Sequence, residues 1–460
     1  MRRTARIILA LFALSLPLAA AETPLVRHGT PKRQGRVWVQ YDQCSVPVRP
    51  GGRLIFRTQM GSVIVFSGDT AQLQCSLKLV AYTASESEAR ASFSGSELSA
   101  RRLGSDGAYV DFRYPEYQPS RRVDASFTIV VPLHYNLDLE TQSGGIQVCG
   151  LDGELRASTA GGDIQTGDLT GPVRLQTAAG NISLGNIDQR LEAHTAGGSI
   201  HVGDVKGDAF LETHGGDIVA GTISGTVRAL TAAGNIIMRS ASGPVVVQTA
   251  GGQIRLGDCG GPVRAHTAAG SIQLDGARGR VEAETAGGNL DLLRLMSGVR
   301  AQTAAGNVLA QIDANRQSFG PSSLESSVGD VEVFLPPDLP LNVNALIDTA
   351  AGHTISSDFP IVMRRDGGEW GVGPVQGSSV LSGGGAPLVL RTALGNIQIR
   401  KLNPGSMARL KAYQQAFWKN WEEQMKEQQE NIARLQKLMQ TEQERLQELQ
   451  KSWPEDDGSQ

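Results

Sequence analysis

Aromatic side chains make up only 5% of this 460-residue chain. Between Thr141 and Gly320 only Phe210 and Phe319 are aromatic, so that stretch cannot carry a row of stacking platforms for sugar rings. Net positive charge is also missing. Lys and Arg number 43 against 46 Asp and Glu, a formal net charge of −3, and no basic field invites nucleic acid. Beyond residue 21 no run approaches the ~20 apolar residues of a membrane helix, which leaves no integral membrane segment in the mature chain. Cysteine is limited to four residues, and none of them stands where a lipid would be attached behind a signal peptide.

The one long apolar run lies at the N-terminus. Arg2, Arg3 and Arg6 precede apolar residues 7–18, and Ala19-Ala20-Ala21 stands before Glu22 as a small-residue cleavage site. Residues 1–21 are therefore expected to be a signal peptide. The protein is expected to be exported, and to be periplasmic, outer-envelope-associated or secreted.

What the sequence has in abundance is glycine, 55 residues, placed with a strict period. Thr-x-x-Gly-x-(Ile/Leu/Val) occurs ten times, starting at Thr141, Thr159, Thr177, Thr195, Thr213, Thr231, Thr249, Thr267, Thr285 and Thr303, one copy every 18 residues. Units of this size bury their apolar faces only against their neighbours, which predicts a quasi-one-dimensional solenoid. Within a unit, Val173-Arg174-Leu175-Gln176-Thr177 and Ile182-Ser183-Leu184 alternate as two strands separated by small residues. The fold class is thus all-β: a single-stranded β-solenoid of the parallel β-helix type with 18-residue coils.

The column Ile146, Ile164, Ile182, Ile200, Ile218, Ile236, Ile254, Ile272, Leu290, Val308 is assigned to the core. The column Arg156, Arg174, Glu192, Phe210, Arg228, Val246, Arg264, Glu282, Arg300 is assigned to a solvated face. Gly144, Gly162, Gly180, Gly198, Gly216, Gly234, Gly252, Gly270, Gly288 and Gly306 are read as structural turn residues, needed either for φ > 0 or for close approach to the next coil. The repeated threonine shares the inward parity, so its hydroxyl is expected to bond backbone or the next threonine. At ~4.7 Å per coil, Cys149 and Cys259 lie beyond disulfide reach of each other and read as packing residues. Cys44 and Cys75, in one segment of an exported chain, are the disulfide candidates.

Degenerate copies at Thr58, Ser326, Thr392 and, more weakly, Thr349 extend the solenoid. The expected organisation is a linker over 22–36, an N-terminal irregular β cap with the first coil over 37–140, and regular coils over 141–320. Irregular C-terminal coils follow over 321–403, then a coiled-coil helix over 404–453 and an acidic tail over 454–460. In the helix, heptad positions place Trp418, Trp421, Met425, Ile432, Leu435, Met439, Leu446 and Leu449 on one seam. The seam is expected to bind a second copy or a partner helix; the alternative is docking on the chain's own solenoid wall.

No catalytic, cofactor or metal site is expected. Asp163, Asp168, Asp204, Asp217 and Asp258 fall at turns, where aspartate is common. The glycine and aspartate pattern of calcium-binding rolls is absent, His194 and His266 stand four coils apart, and the outward row beside the threonines lacks the threonine pairs of an ice-binding face. Aromatic residues gather instead in the N-terminal insertion, at Tyr109, Phe112, Tyr114 and Tyr117, and make it the better place for ligand contacts.

The repeated Thr-Ala-(Ala/Gly)-Gly-(Asn/Asp/Ser)-Ile, with Arg57-Thr58-Gln59-Met60-Gly61-Ser62-Val63 and Val130-Val131-Pro132 leading into the first regular coil, resembles the bacterial DUF4097 family of adhesin-like proteins over residues 37 to 401. The resemblance implies a right-handed-type β-solenoid in an envelope or surface protein, and it brings no family catalytic residues. The strict 18-residue run and the long terminal helix depart from the family pattern and favour an assembly role. The expected function is that of a non-enzymatic adhesin or cell-envelope scaffold with a surface or envelope ligand. A carbohydrate-active β-helix enzyme and a periplasmic regulatory or sensing module are the alternatives.

Overall fold

Alternation at period two makes each coil a pair of strands, and the offset of 18 stacks like on like. A computed structural model describes residues 25–114, 123–315, 318–365 and 373–412, with residues 418, 426, 430, 434 and 437. In the coil of Val173–Thr177 and Ile182–Leu184, the side chains Val173, Leu175, Thr177, Ile182 and Leu184 are all buried. Ile187 bridges Leu169 and Val205 in the neighbouring coils, which gives the coil a third, short side. Further along, the second strand runs through this corner, as in Ile218–Ile223 and Ile254–Cys259. Pairing is parallel and in register, Val173 with Leu191, Thr177 with Thr195 and Ile182 with Ile200. First strands build an 18-stranded sheet and second strands a 19-stranded sheet. The aliphatic column from Ile146 to Val308 lies between them, each member 0 to 1% exposed; such a side chain contributes about 1.5–3 kcal/mol by leaving water.

The threonine hydroxyls bond backbone, not one another. Thr159, Thr195, Thr249 and Thr303 donate to the carbonyls of Gly144, Gly180, Gly234 and Gly288 in the preceding coil at 2.8 to 2.9 Å. The hydroxyl oxygen in turn accepts the N–H of the glycine three residues on, as Thr249 does from Gly252 at 3.2 Å. Each buried threonine therefore joins its own turn to the turn below. A second ladder uses the residue after the glycine: Asp163 Oδ1 accepts from Asn181 N, Asn181 Oδ1 from Ser199 N, and Asp217 Oδ1 from Asn235 N, at 2.7 to 2.9 Å. Asp168 and Asp204 do the same one corner further on, for Asn186 N and Thr222 N at 2.7 Å.

Close approach is what the repeated glycine supplies. A Cβ on Gly162 or Gly252 would run into the carbonyl group of Gly144 or Gly234 below it. Gly144, where the regular stack meets the irregular first coil, combines that approach with φ of 121°.

At both ends, order in space departs from order in sequence. The coil of Arg53–Thr58 and Ser62–Gly68 sits between the first regular coil and Gly107–Arg113 with Val123–Pro132. At the other end Ala386–Leu394 and Ile397–Lys401, late in the sequence, slide between Ser322–Val328 with Val331–Leu335 and Leu341–Ile347 with Ile355–Ser357. Antiparallel strands Val375–Leu381 and Val362–Arg365 extend this end.

The N-terminal cap is not wholly β. Helix Glu86–Phe93, capped by Ser85 accepting from Glu88 N, buries Ala89, Ser92 and Phe93, a start signal of capping serine and acidic first turn. The stretch expected as a linker supplies strands Val26–Arg27 and Lys32–Gln34, both paired with Val37–Pro47. Buried Asp42 holds them by accepting from Gly29 N at 3.0 Å. Residues 1–21, the expected signal peptide, lie outside the described residues.

Strands Val37–Pro47 and Gln72–Ala81 are antiparallel with Cys44 directly opposite Cys75. Both thiols are buried and free in the structure. Directly opposed residues have Cα atoms about 4.5 to 5.5 Å apart, inside disulfide range. Non-reducing peptide mapping of protein produced in an oxidising compartment is expected to recover the Cys44 and Cys75 peptides linked. Fully alkylatable thiols in protein purified without reductant would contradict this. Cys149 and Cys259 are buried apart, and burial pushes both thiols up to about 12, as fits packing residues.

Candidate functional site: an axial groove and a helix seat

The outward residues just before the corner threonines line a shallow groove of about 560 Å³. It runs over the coils of Glu140, Ser158, Gln176, His194 and Glu212, floored by Ala160, Ala178 and Ala196. Five coils at ~4.7 Å spacing make it about 19 Å long. At the three middle coils the residue after the threonine is alanine, and longer side chains, Gln142 and His214, take that place at the two ends.

Its most organised part gathers residues from neighbouring coils. His194 lies 3.4 Å from Glu192 through Nε2 and 3.3 Å from Glu212 through Nδ1. Its ring stands 5.0 Å from that of Phe210, and Arg174 reaches Glu192 at 3.3 Å. Strand register brings these together: Glu192 and His194 share a strand, and Phe210 and Glu212 face them in the next. The outward columns were legible in the sequence, but pairing Glu192 with Glu212 across one imidazole needs the register. His266 lies four coils away in the same column and faces Glu284 at 3.7 Å. His214 lines the groove, and His201 sits on the other sheet, where burial lowers its pKa.

The aspartates weighed for chemistry are occupied. Asp163, Asp168, Asp204 and Asp217 accept backbone N–H groups of the next coil, and Asp258 pairs with Arg294. In the cap, Phe112 is buried against Phe127 with centroids 5.2 Å apart. Tyr114 donates its hydroxyl to Ser92 O at 2.9 Å, and Tyr109 lies under Arg101. Of the aromatic ligand candidates there, Phe112 is core and Tyr117 lies outside the described residues.

The second feature is on the other sheet. Asn403 caps the C-terminal helix by accepting from Ser406 N at 2.9 Å, with Pro404 at the first helical position, where its missing N–H costs nothing. Residues 404–412 are helical, as is Trp418. The indole of Trp418 packs on Val219 and Ile237, lies over the bare face of Gly257, and donates its Nε1–H to Asp275 Oδ2. Burial raises the Asp275 pKa; the Trp418 hydrogen bond and Arg294 oppose the shift and Asp258 adds to it. Arg294, at φ of 45°, donates to Asp275 O at 2.9 Å.

Val219 and Ile237 are the wall residues the sequence analysis did not single out. Their outward column reads Gln147, Gln165, Ser183, His201, Val219, Ile237, Arg255, Gln273, Asp291. Two aliphatic residues in a polar row were the available signal. Trp421, Met425, Ile432, Leu435, Met439, Leu446 and Leu449 of the expected seam lie outside the described residues, so of that seam only Trp418 is placed, against the chain's own wall. Among the described residues no helix is long and apolar enough to cross a membrane.

No family model matches the chain, and no curated protein matches it. Among solved structures, a protein described as a candidate for cell adhesion from Clostridium sporogenes aligns over 81% of this chain and 100% of its own, at 9% identity and a TM-score of 0.15. A candidate adhesin from Bacteroides fragilis aligns over 79% of this chain and 97% of its own, at 10% identity and a TM-score of 0.15. Superpositions that loose add nothing to a fold that rests on strand register, and the DUF4097 resemblance stands on the motif residues alone.

Proposed function

We propose that the chain is a non-enzymatic, exported β-solenoid acting as an adhesin or cell-envelope scaffold, with its outward rows as the display surface and its terminal helix as the assembly or docking element. The observation that carries this reading is how the recurring polar residues are used. The repeated threonine, and the aspartate or asparagine at the turns of many repeats, are engaged in bonds between coils, so the repeat builds length and rigidity and leaves variation to the outward columns. An axial groove of this form suits an extended ligand lying along the stack.

The test compares residues 22–460 with a chain ending at Asn403, by sedimentation and by binding to envelope fractions. Full-length protein is expected to be oligomeric and retained by the envelope fraction, and the shortened chain monomeric. Two monomers that both fail to bind would overturn the proposal.

The Glu192–His194–Glu212 set favours one second reading, a carbohydrate-active enzyme. Two carboxylates flanking an imidazole are a recognisable acid–base arrangement. Turnover of an acidic polysaccharide, lost in both Glu192→Gln and Glu212→Gln, would establish it.

A further inference from the structure

The residue that opens the heptad seam is the residue that the wall holds. Trp418 heads the column continued by Met425, Ile432 and Met439, and any pairing of two helices through that column must bury it. In the structure it is already spent on Val219, Ile237, Gly257 and Asp275. The two uses exclude one another.

Geometry shows that the contact belongs to the fold of the helix and is not a stray touch. Helical residues 404–412 set out from the coil of Ile397, and Trp418 meets the wall at Val219, Ile237, Gly257 and Asp275. Going back along the wall from the coil of Ile397 through those of Val331, Val308, Leu290 and Ile272 to that of Ile254 takes five steps, about 24 Å at ~4.7 Å each. From Pro404 to Trp418 the chain thus ends up further back along the outer face of the second-strand sheet, against the direction of coil growth. Arg409, one turn and a half into the helix, lies close enough to Glu332, on the coil next to that of Ile397, to oppose with Arg400 the burial-driven rise of its carboxyl pKa. Going back from the coil of Ile397 the outward column reads Gln398, Glu332, Leu309, Asp291, Gln273 and Arg255, and two adjacent aliphatic residues, Ile237 and Val219, occur only where Trp418 arrives. Past Val219 the column turns to His201, Ser183, Gln165 and Gln147, side chains that offer no apolar bed to a continuing seam of Ile, Leu and Met.

We propose that Val219, Ile237, Gly257 and Asp275 form a latch for Trp418 that competes with a second copy of the chain for the C-terminal helix. Latched, the helix lies on its own solenoid and its seam lacks its first anchor. Released, Trp418 joins the seam and two chains associate through it. The indole N–H to Asp275 favours tryptophan in the seat: a leucine or phenylalanine placed there would lose that hydrogen bond. The proposal rests on the assembly reading above.

The double variant Val219→Gln with Ile237→Gln tests it on the full-length chain. Glutamine already occupies this outward column at positions 147, 165 and 273, so the coils should fold. Amide exchange of residues 404–412 is expected to accelerate at least tenfold, and the concentration for half-association in sedimentation to fall about tenfold. Unchanged exchange in the double variant overturns the latch, whatever the mass. Faster exchange with unchanged association overturns the competition, provided that the wild-type chain is oligomeric and the chain ending at Asn403 is not. If the full-length chain stays monomeric in both wild type and variant, the assembly reading itself fails. Trp418→Ala separates the roles further: it is expected to release the helix like the wall variant yet not to strengthen association, because the seam has lost the same residue. Stronger association in Trp418→Ala would show that the indole has no place in the seam and would overturn the proposal.

Discussion

Gly162→Ala is expected to cost about 3 kcal/mol or more of stability, while Gly161→Ala next to it is expected to be neutral or to stabilise by up to ~1 kcal/mol. The two glycines share a turn and differ in what lies beneath them. A Cβ on Gly161 meets nothing within 4 Å, whereas one on Gly162 would lie on the carbonyl group of Gly144 and the N of Gly145. Nothing there can rotate away, because the obstacle is backbone in the adjoining coil, itself held by Thr159 through the Gly144 carbonyl at 2.9 Å. Relief would need the coils to separate, which would lengthen strand hydrogen bonds on both sides of the turn. Equivalent positions in the sequence agree: the place of Gly161 is taken by Ala179, Ala233, Ala269 and Ala305, while that of Gly162 is glycine throughout. Urea and thermal unfolding of the two variants read the difference directly. Equal midpoints would show that close stacking at this column is not what the glycine provides.

Thr249→Val should lower stability by about 2–4 kcal/mol, and Thr249→Ser by about 1 kcal/mol. Valine keeps the shape and the β-branched rotamer but removes the hydroxyl. It leaves the Gly234 carbonyl, which receives 2.9 Å from Thr249, and the Gly252 N–H, 3.2 Å away, without that partner. Thr249 is 1% exposed, so water does not replace the lost bonds, and each orphaned group costs about 1–3 kcal/mol. Serine retains both bonds and loses one buried methyl, about 0.8–1 kcal/mol. Because each coil contacts only its neighbours, the loss is felt locally and spreads as a weakened interface. Hydrogen exchange should therefore show faster opening around the Thr231, Thr249 and Thr267 coils, with the distant cap strands nearly unaffected. A valine variant as stable as the serine one would mean that the spine carries no weight.

Both expectations hang on equivalent turns of the repeat, and that turn shows how far a sequence of this kind can be read. The 18-residue recurrence dictated the parallel register, the aliphatic column from Ile146 to Val308 and the exposure of the row beginning at Arg156. Each follows from two local regularities, alternation along a strand and repetition between strands, which a linear string contains in full. The threonine hydroxyls were assigned inward by parity alone, and the choice between backbone and a neighbouring hydroxyl needed coordinates. The glycine column had two candidate reasons, and most of its members take only one of them, close approach.

Tertiary structure decided what depends on distances between residues without a fixed offset. Glu192 and Glu212 were visible as outward carboxylates, but their convergence on His194 comes from the spacing of adjacent coils. The order of coils at the two ends, with Arg53–Thr58 and Ala386–Leu394 each set inside a neighbour that is nearer to the regular stack in sequence, cannot be read from motif order. Doubling the length of a flexible loop adds only about 0.6 kcal/mol to the cost of closing it, so loop length does not dictate which coil is the neighbour. Cys44 and Cys75 became neighbours only through antiparallel pairing in the cap. Above all, the heptads predicted an apolar stripe on the helix without saying what it meets. Trp418 meets Val219 and Ile237 because the chain beyond Pro404 doubles back along the wall, and the heptads alone do not name the residues that coincide. Repetition along the chain therefore set the coil, and the return of the C-terminal segment onto that coil, which no offset in the sequence encodes, set the contact.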